Sequence, residues 1–176
     1  VLRTQHSRVL GRRLPHRLSN SADVIVIGAG LSGLMAGVQA ARRGLRVIVL
    51  EARPLAGAKF CYTSMGAAAV SSAKLDVTRF RGRNARFVDD ALKAFDPGDL
   101  AQWFGEAGVA LKSGPHYGLV RPAQSGADVV SALVDALEQA GAKLMLESTV
   151  DRLTQSPSGF AVTGRGFAVF STNCDP

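Results

Sequence analysis

Three glycines with the spacing G-x-G-x-x-G are the residues whose pattern points most directly to chemistry. They are Gly28, Gly30 and Gly33, and Glu51 follows eighteen positions after the last of them. In a strand–turn–helix unit the first glycine permits a tight turn, the second lets the backbone approach a pyrophosphate, and the third lets the helix pack closely on the strand. An acidic residue about 20 positions further on binds a ribose hydroxyl. The pattern therefore predicts a dinucleotide site.

The elements needed to position these residues follow in the required order. An apolar run rich in β-branched residues, 23–27, predicts a buried parallel strand directly before Gly28. The Ala-rich segment 31–43 predicts a helix whose first turn offers unpaired amides and a positive dipole end, and 46–50 predicts a second strand that ends at Glu51. A glycine-rich turn with no ligand is the alternative, since the chain contains 19 glycines. The ordered strand–helix–strand–acid arrangement favours the dinucleotide.

The remaining residues offer no recognisable catalytic constellation or metal site. His6, His16 and His116 have no Cys, Ser or Asp companion at a catalytic spacing. Cys61 and Cys174 are far apart and lack a nearby histidine pair, which argues against a disulfide scaffold and against zinc. We therefore expect no metal, leave the catalytic residues unassigned, and expect a reducing, cytoplasmic location.

Beyond this first unit the patterns predict three helices, a third parallel strand and an antiparallel meander. Asn84, Asp96 and Ser125 are suited to cap the helices, and Leu100, Trp103 and Phe104 are expected in the core. The predicted helices span 84–95, 97 to Gly105 or Gly108, and 127–140; the third parallel strand spans 143–147, two short strands lie within 109–120, and the meander comprises 149–154, 160–163 and 167–171. Residues 52–86 are predicted as a long loop that could run along the cofactor.

The positive charge of the chain is concentrated at its start. The formal charge is +7, but residues 1–22 hold five arginines and no acid, which leaves only +2 for the remainder. We expect 1–22 to be a basic, disordered tail, with a transit peptide for an organelle as the alternative. We find no Lys/Arg stripe with interleaved aromatic residues in the body and no apolar run long enough to span a bilayer. The expected partners therefore include neither nucleic acid nor a membrane.

From about residue 22 to residue 170 the sequence resembles a flavoprotein family. The stretches that carry the resemblance are VIVIGAGLSGLMAG, ARRGLRVIVLEAR, RFVDDALKAF, GVALK, YGLVRPAQSGADVVSAL and GAKLMLESTVDRL. The family is that of the NAD(P)/FAD-dependent oxidoreductases of the BaiN and aminoacetone-oxidase type, which have two dinucleotide-binding domains. The resemblance implies an α/β fold with a Rossmann-like parallel sheet of the FAD/NAD(P)-binding type and an antiparallel β-meander. It also implies FAD as cofactor, NAD(P)H as a candidate electron donor and an unidentified small-molecule substrate.

The resemblance further implies which residues bind the cofactor. The glycines and two neighbouring amides would contact the FAD pyrophosphate, the acid would bind the adenosine ribose, and backbone atoms at the start of the meander would contact adenine. These residues are Gly28, Gly30, Leu31, Ser32, Gly33, Glu51, Arg53, Lys59 and Val150.

One loop departs from the pattern of the family. Members carry G-R-K followed by S/T-G-x-G-R-C-N-x-[ST]-N, which should fall at 57–72. Lys59, Thr63 and Gly66 match it, whereas Ala58, Ser64, Ala67, Ala68, Ala69 and Ser72 replace Arg, Gly, Arg, Cys, Asn and Asn. Each lost charge-assisted contact would cost about 1.5–3 kcal/mol of cofactor binding.

Members of the family also continue well beyond the length of this chain. We therefore expect 23–176 to be an incomplete, N-terminal FAD-binding domain, which would need a missing C-terminal half or a second chain for chemistry. The predicted function is an FAD-binding flavoprotein oxidoreductase, or the FAD-binding part of one. A degenerate, non-catalytic dinucleotide-binding module is the alternative. A nicotinamide-only dehydrogenase would fit the glycine motif but has no need of the meander.

Overall fold

The structure, a computed structural model, describes residues 20–62, 69–114 and 118–172. Helices and short strands alternate in its first two thirds, and a run of three longer strands ends it. In chain order the elements are β1 Asn20–Ala22, β2 Val24–Ile27, α1 Leu31–Ala41, β3 Val47–Leu50, α2 Ala58–Tyr62, β4 Ser71–Ser72, a 3-10 helix Val77–Arg79, α3 Ala85–Ala94, α4 Pro97–Glu106, β5 Leu111–Ser113, β6 Leu119–Pro122, α5 Gly126–Gln139, β7 Lys143–Met145, β8 Val150–Ser156, β9 Gly159–Gly164 and β10 Phe167–Thr172.

A parallel sheet in the order β2-β3-β7 forms the centre of the fold. Because side chains alternate along a strand, one face of this sheet packs against helices and the other against the meander. The helix side joins Val47 and Val49 to buried residues of α1 and α5, among them Leu34 and Leu137. On the opposite face, Ile48 and Leu50 of β3 pack against Ala22, Val162 and Val169, which lie in β1, β9 and β10. The predicted α/β fold with a Rossmann-like parallel sheet is confirmed.

The last three strands form the predicted antiparallel meander, and a further strand joins its edge. The sheet has the order β1-β10-β9-β8, and β1 pairs parallel to β10 with Asn20 opposite Val169. Sequence analysis placed residues 20–22 in the tail. They instead pair with the open edge of β10, and the methyl group of Ala22 is fully buried. Residues 20–22 therefore belong to the four-stranded sheet, and residues 1–19 lie outside the described part of the chain.

Each predicted cap is present at a helix start. The Asn84 side chain accepts a hydrogen bond from the N–H of Phe87, which begins α3. Asp96 and Asp99 form a reciprocal capping box at α4, and Ser125 forms one with its third neighbour at α5. Such caps contribute about 1 kcal/mol each because they satisfy amides that the helix leaves unpaired.

Residues 52–86, predicted above as one long loop, contain three short elements, which are α2, β4 and the 3-10 helix. Strand β4 pairs with β6 in a small antiparallel sheet of order β4-β6-β5. Trp103 and Phe104 of α4 are buried edge to face, with ring centroids 4.9 Å apart, as the aromatic stripe predicted. In contrast, α3 has no buried residue, so its apolar side chains remain at least partly exposed.

An ion pair fastens the starts of β2 and β3 together. The carboxylate of Asp23 accepts the backbone N–H of Arg46 at 2.7 Å and its guanidinium at 2.6 Å. The hydrogen bond from the guanidinium, assisted by the one from the backbone, lowers the pKa of Asp23 below its ordinary value.

This lowered pKa predicts a pH dependence of stability. A carboxylate with a lower pKa in the folded state stabilises the protein above about pH 4, and this contribution disappears as the pH falls through the folded-state pKa. We expect the urea midpoint of the wild type to drop more steeply below pH 4 than that of Asp23→Asn. Urea titrations at several pH values measure this, with Asp151→Asn as an exposed control. Parallel pH profiles for wild type and Asp23→Asn would contradict it.

No helix within the described ranges 20–62, 69–114 and 118–172 is long and apolar enough to cross a membrane.

Candidate functional site

The glycine motif lies where β2 passes into α1, at the carboxyl end of the parallel sheet. Gly28 has φ +100°, a conformation that glycine adopts readily because it has no Cβ. Its N–H donates to the carbonyl of Leu50 at 2.7 Å. Gly30 is the N-cap of α1 and has no side chain with which to accept the first amides of the helix. The amides of Leu31 and Ser32 at this helix start are therefore suited to bind an anion.

The second and third glycines serve different purposes. A Cβ on Gly30 would meet no atom within 4 Å, so this position borders open space. A Cβ on Gly33 would lie 2.0 Å from the carbonyl oxygen of Gly28, which no side chain could tolerate. Gly33 thus permits the close packing of α1 on the turn, and Gly30 keeps the space above the turn free.

Glu51, the first residue after β3, is placed beside this turn by two backbone hydrogen bonds. Its Oε2 accepts the N–H of Ala29 at 2.8 Å, and its Oε1 accepts the N–H of Arg53 at 2.9 Å. Since Ile27 and Leu50 are register partners in the parallel sheet, the two strand ends bring the glycine turn and this carboxylate together.

A cleft of about 420 Å³ opens in front of the turn. It contains five of the nine predicted cofactor residues and four that were not predicted. Its lining residues are Ala29, Gly30, Leu31, Glu51, Arg53, Gly57, Ala58, Lys59 and Phe60. The structure thus brings an acid, two bases and a helix start to one concave surface, an arrangement suited to a ligand with phosphate and sugar groups.

Four predicted residues do not line the cleft. Gly28, Ser32 and Gly33 belong to the turn and the first turn of α1 behind it. Val150 begins β8, two residues beyond Ser148, whose N–H donates to the carbonyl of Glu51 at 2.7 Å. The structure therefore places Val150 close to Glu51 along the chain, and its side chain packs against the cluster that contains Leu50.

Of the wall formed by residues 57–60, sequence reasoning predicted Lys59 and missed the other three residues. Gly57 has φ +62°, its N–H donates to the carbonyl of Ala29 at 2.7 Å, and a Cβ there would lie 2.4 Å from a methyl group of Val130. A glycine three positions after Pro54 was the available signal. Residues 63–68, which hold three of the six departures from the pattern of the family, lie outside the described residues.

A second cavity of about 270 Å³ lies between α1, α4 and α5, remote from the turn. Arg42 lies over the ring of Trp103, 5.7 Å from its centroid, and both residues line this cavity. None of the predicted site residues does. In the described part of the chain, no group of three or more His, Cys, Asp or Glu side chains could hold a metal ion.

Comparison with protein families matches residues 22–172 to the HI0933-like protein Rossmann domain. Among curated proteins, the chain is 29% identical over 143 residues to the 3-dehydro-bile acid delta(4,6)-reductase of Clostridium scindens, covering 80% of this chain and 35% of that protein. It is 24% identical over 147 residues to the ribosomal RNA dihydrouridine synthase of Escherichia coli, covering 84% and 36%. The chain thus spans about a third of the length of these relatives.

Solved structures share the fold at low sequence identity. The 3-ketosteroid-delta4-(5alpha)-dehydrogenase of Rhodococcus jostii RHA1 superimposes with a TM-score of 0.60 at 16% identity, covering 93% of this chain and 46% of that one. A flavocytochrome c3 fumarate reductase gives a TM-score of 0.60 at 22% identity, covering 89% and 33%. These likenesses establish the fold.

Proposed function

The chain belongs to the HI0933-like protein Rossmann domain family, and from this premise we propose that it binds FAD in the cleft in front of the glycine turn. It would serve as the FAD-binding part of an oxidoreductase. When bound, FAD supplies hydride-transfer chemistry, while the protein binds and orients it.

The open space over Gly30 is the observation that carries this proposal. It lies between a helix start and a fixed carboxylate, and a ligand could approach the backbone there without displacing a side chain. A pyrophosphate fits such a place because the amides and the helix dipole both favour negative charge. The residues present therefore fit the adenosine diphosphate part of the cofactor.

Each predicted residue has a role in this proposal. Gly28 and Gly33 shape the turn, and the amides that follow Gly30, those of Leu31 and Ser32, bind the pyrophosphate. Glu51 accepts hydrogen bonds from the ribose, and Arg53 and Lys59 add positive charge at the mouth of the cleft. Backbone atoms of Val150 contact adenine.

FAD is favoured over NAD by the resemblance of the sequence and by the meander, which covers the second face of the parallel sheet. A nicotinamide-only domain would have no need of these strands. NAD(P)H is the proposed electron donor of the complete protein. The names of two relatives suggest alternative substrates that gain hydrogen, a steroid and a uridine of ribosomal RNA.

A degenerate, non-catalytic module is the second candidate, favoured by the alanines at 67–69. These replace residues that the family pattern would use for polar contacts. The cysteine content supports a cytoplasmic location for either candidate, with an organelle as the alternative if residues 1–22 act as a transit peptide.

A titration of the purified chain with FAD, and in parallel with NAD⁺, tests the proposal. We expect a yellow protein, or saturable binding of added FAD, with a larger rise in the thermal midpoint from FAD than from NAD⁺. A chain that binds NAD⁺ but not FAD would assign it to the nicotinamide-only class. Binding of neither would support the degenerate module.

Replacing Glu51 is expected to weaken FAD binding. A hydrogen bond to a charged group contributes about 1.5–3 kcal/mol, so Glu51→Ala should lower the affinity roughly ten- to a hundredfold. Calorimetric titration measures the affinity, and urea unfolding separates this effect from the loss of the bonds to Ala29 and Arg53. Glu138→Ala, on an exposed face of α5, is the matched control. An unchanged affinity for FAD in Glu51→Ala would contradict the proposed hydrogen bonds between Glu51 and the ribose.

A further inference from the structure

The segment 79–87 has the sequence RFRGRNARF, four arginines with two interleaved phenylalanines. The net charge of the body as a whole is small, and this local cluster departs from the expectation above that the body has no Lys/Arg stripe with interleaved aromatic residues. We propose that this segment, here called the Arg-Phe segment, binds single-stranded RNA.

The charged side chains of the Arg-Phe segment are available to a ligand. Arg81 and Arg83 are exposed and form no hydrogen bond or ion pair with any residue in the described ranges. The side chain of Arg86 is 90% exposed, and its ion pair with Asp90 has an N–O distance of 3.8 Å. From residue 74 to residue 87 the chain has five basic side chains and one acidic one. The local field is therefore strongly positive.

The two phenylalanines are exposed although they are large and apolar. Phe80 is 45% exposed and Phe87 is 69% exposed. The exposed part of an aromatic ring can stack on an unpaired base. Bases inside a duplex are not available for such stacking, so the rings favour a single strand.

Local structure fixes the backbone at both ends of the Arg-Phe segment. Asp76 caps the 3-10 helix through the N–H of Thr78, and this short helix contacts α3. The Asn84 cap fixes Phe87 at the first turn of α3, while Phe80 has an extended backbone just after the 3-10 helix. Both rings thus flank a short stretch that carries Arg81 and Arg83.

An anionic membrane is the other surface that arginine and phenylalanine could suit. The charge of α3 disfavours it, because Asp89 and Asp90 carry negative charge on this helix, with side chains 44% and 65% exposed.

Binding to a labelled 12-nucleotide oligouridine, measured by fluorescence anisotropy of the full chain at several salt concentrations, tests the proposal. Arg81→Gln/Arg83→Gln should lower the affinity and reduce the salt slope by about 1.4, since each phosphate contact on a single strand contributes about 0.7. Phe80→Ser/Phe87→Ser should lower the affinity at least about fivefold with the salt slope unchanged, because stacking does not release counterions.

Two control variants make the result specific. Arg152→Gln/Arg165→Gln removes the same charge from exposed positions of the meander and should leave the affinity within twofold. In a second control background, the N-terminal stretch loses its charge because Arg3, Arg8, Arg12, Arg13 and Arg17 are replaced by glutamine. In that background, both variants of the Arg-Phe segment should lower the affinity as they do in the wild type.

Three outcomes would overturn the proposal. One is an equal loss of affinity for the oligonucleotide in the Arg-Phe segment variants and in the meander variant. The others are equal affinity for a duplex of the same length, and binding to phosphatidylserine vesicles without binding to the oligonucleotide. The inference does not depend on the proposed cofactor. Each variant is also titrated with FAD: loss of RNA binding with intact FAD binding concerns the Arg-Phe segment alone, and absence of FAD binding concerns the cleft alone.

Discussion

Gly33→Ala is expected to destabilise the fold by about 3 kcal/mol. The added Cβ would lie 2.0 Å from the carbonyl oxygen of Gly28 and 3.3 Å from a methyl group of Val26. The oxygen belongs to the backbone and cannot rotate away, so α1 must move from the strand. Overpacking typically costs 1–3 kcal/mol, and occasionally more. Alanine would return up to about 1 kcal/mol through its better helix propensity, which is too little to compensate.

Urea unfolding of Gly33→Ala measures this cost, and the chain offers a matched control. Gly105, near the end of α4, also lies in a helix, but a Cβ there would meet no atom within 4 Å. Gly105→Ala should therefore stabilise the protein by up to about 1 kcal/mol. If both variants had the same urea midpoint, close packing at the turn would not be the reason for Gly33.

Gly30→Val is expected to abolish cofactor binding while leaving the fold intact. Gly30 has φ −72° and ψ 173°, an extended conformation that valine adopts readily, and a Cβ at this position meets nothing within the protein. Its branched side chain would instead fill the space proposed for the pyrophosphate. We expect FAD affinity to fall at least about a hundredfold, equivalent to about 2.7 kcal/mol.

Calorimetric titration with FAD and a thermal unfolding curve of the same Gly30→Val sample separate binding from stability. Since a β-branched N-cap is somewhat poorer than glycine, the cost in stability should remain below about 1 kcal/mol. The Gly105→Ala variant should bind FAD as the wild type does. Full FAD affinity in Gly30→Val would mean that the cofactor does not approach this turn.

The features that could be predicted from the sequence depend on short-range patterns. The strand, the glycine turn and α1 are contiguous, and the caps at Asn84, Asp96 and Ser125 require only residues within one helical turn. The meander could also be predicted from the sequence, because its strands are joined by short turns. Glu51 was predictable because its spacing from the glycines is set by one helix and one strand.

The features that were missed depend on contacts between distant parts of the chain. Strand β1 has no apolar pattern of its own and exists because β10, nearly 150 residues later, offers an open edge. Periodicity predicted an apolar face on α3 but could not show that none of its residues is buried. The second wall of the cleft, at residues 57–60, is placed by the bond from Gly57 to Ala29, which no local pattern indicates.

The two backbone hydrogen bonds to Glu51 have a consequence for the thermodynamics of association. A free glutamate side chain loses up to about 1.5–2 kcal/mol of rotamer entropy when it is immobilised. Here the amides of Ala29 and Arg53 already hold the carboxylate, and each oxygen retains a further lone pair. The loss of rotational freedom is thus incurred when the chain folds, and a sugar arriving at this preorganised acceptor need not order it again.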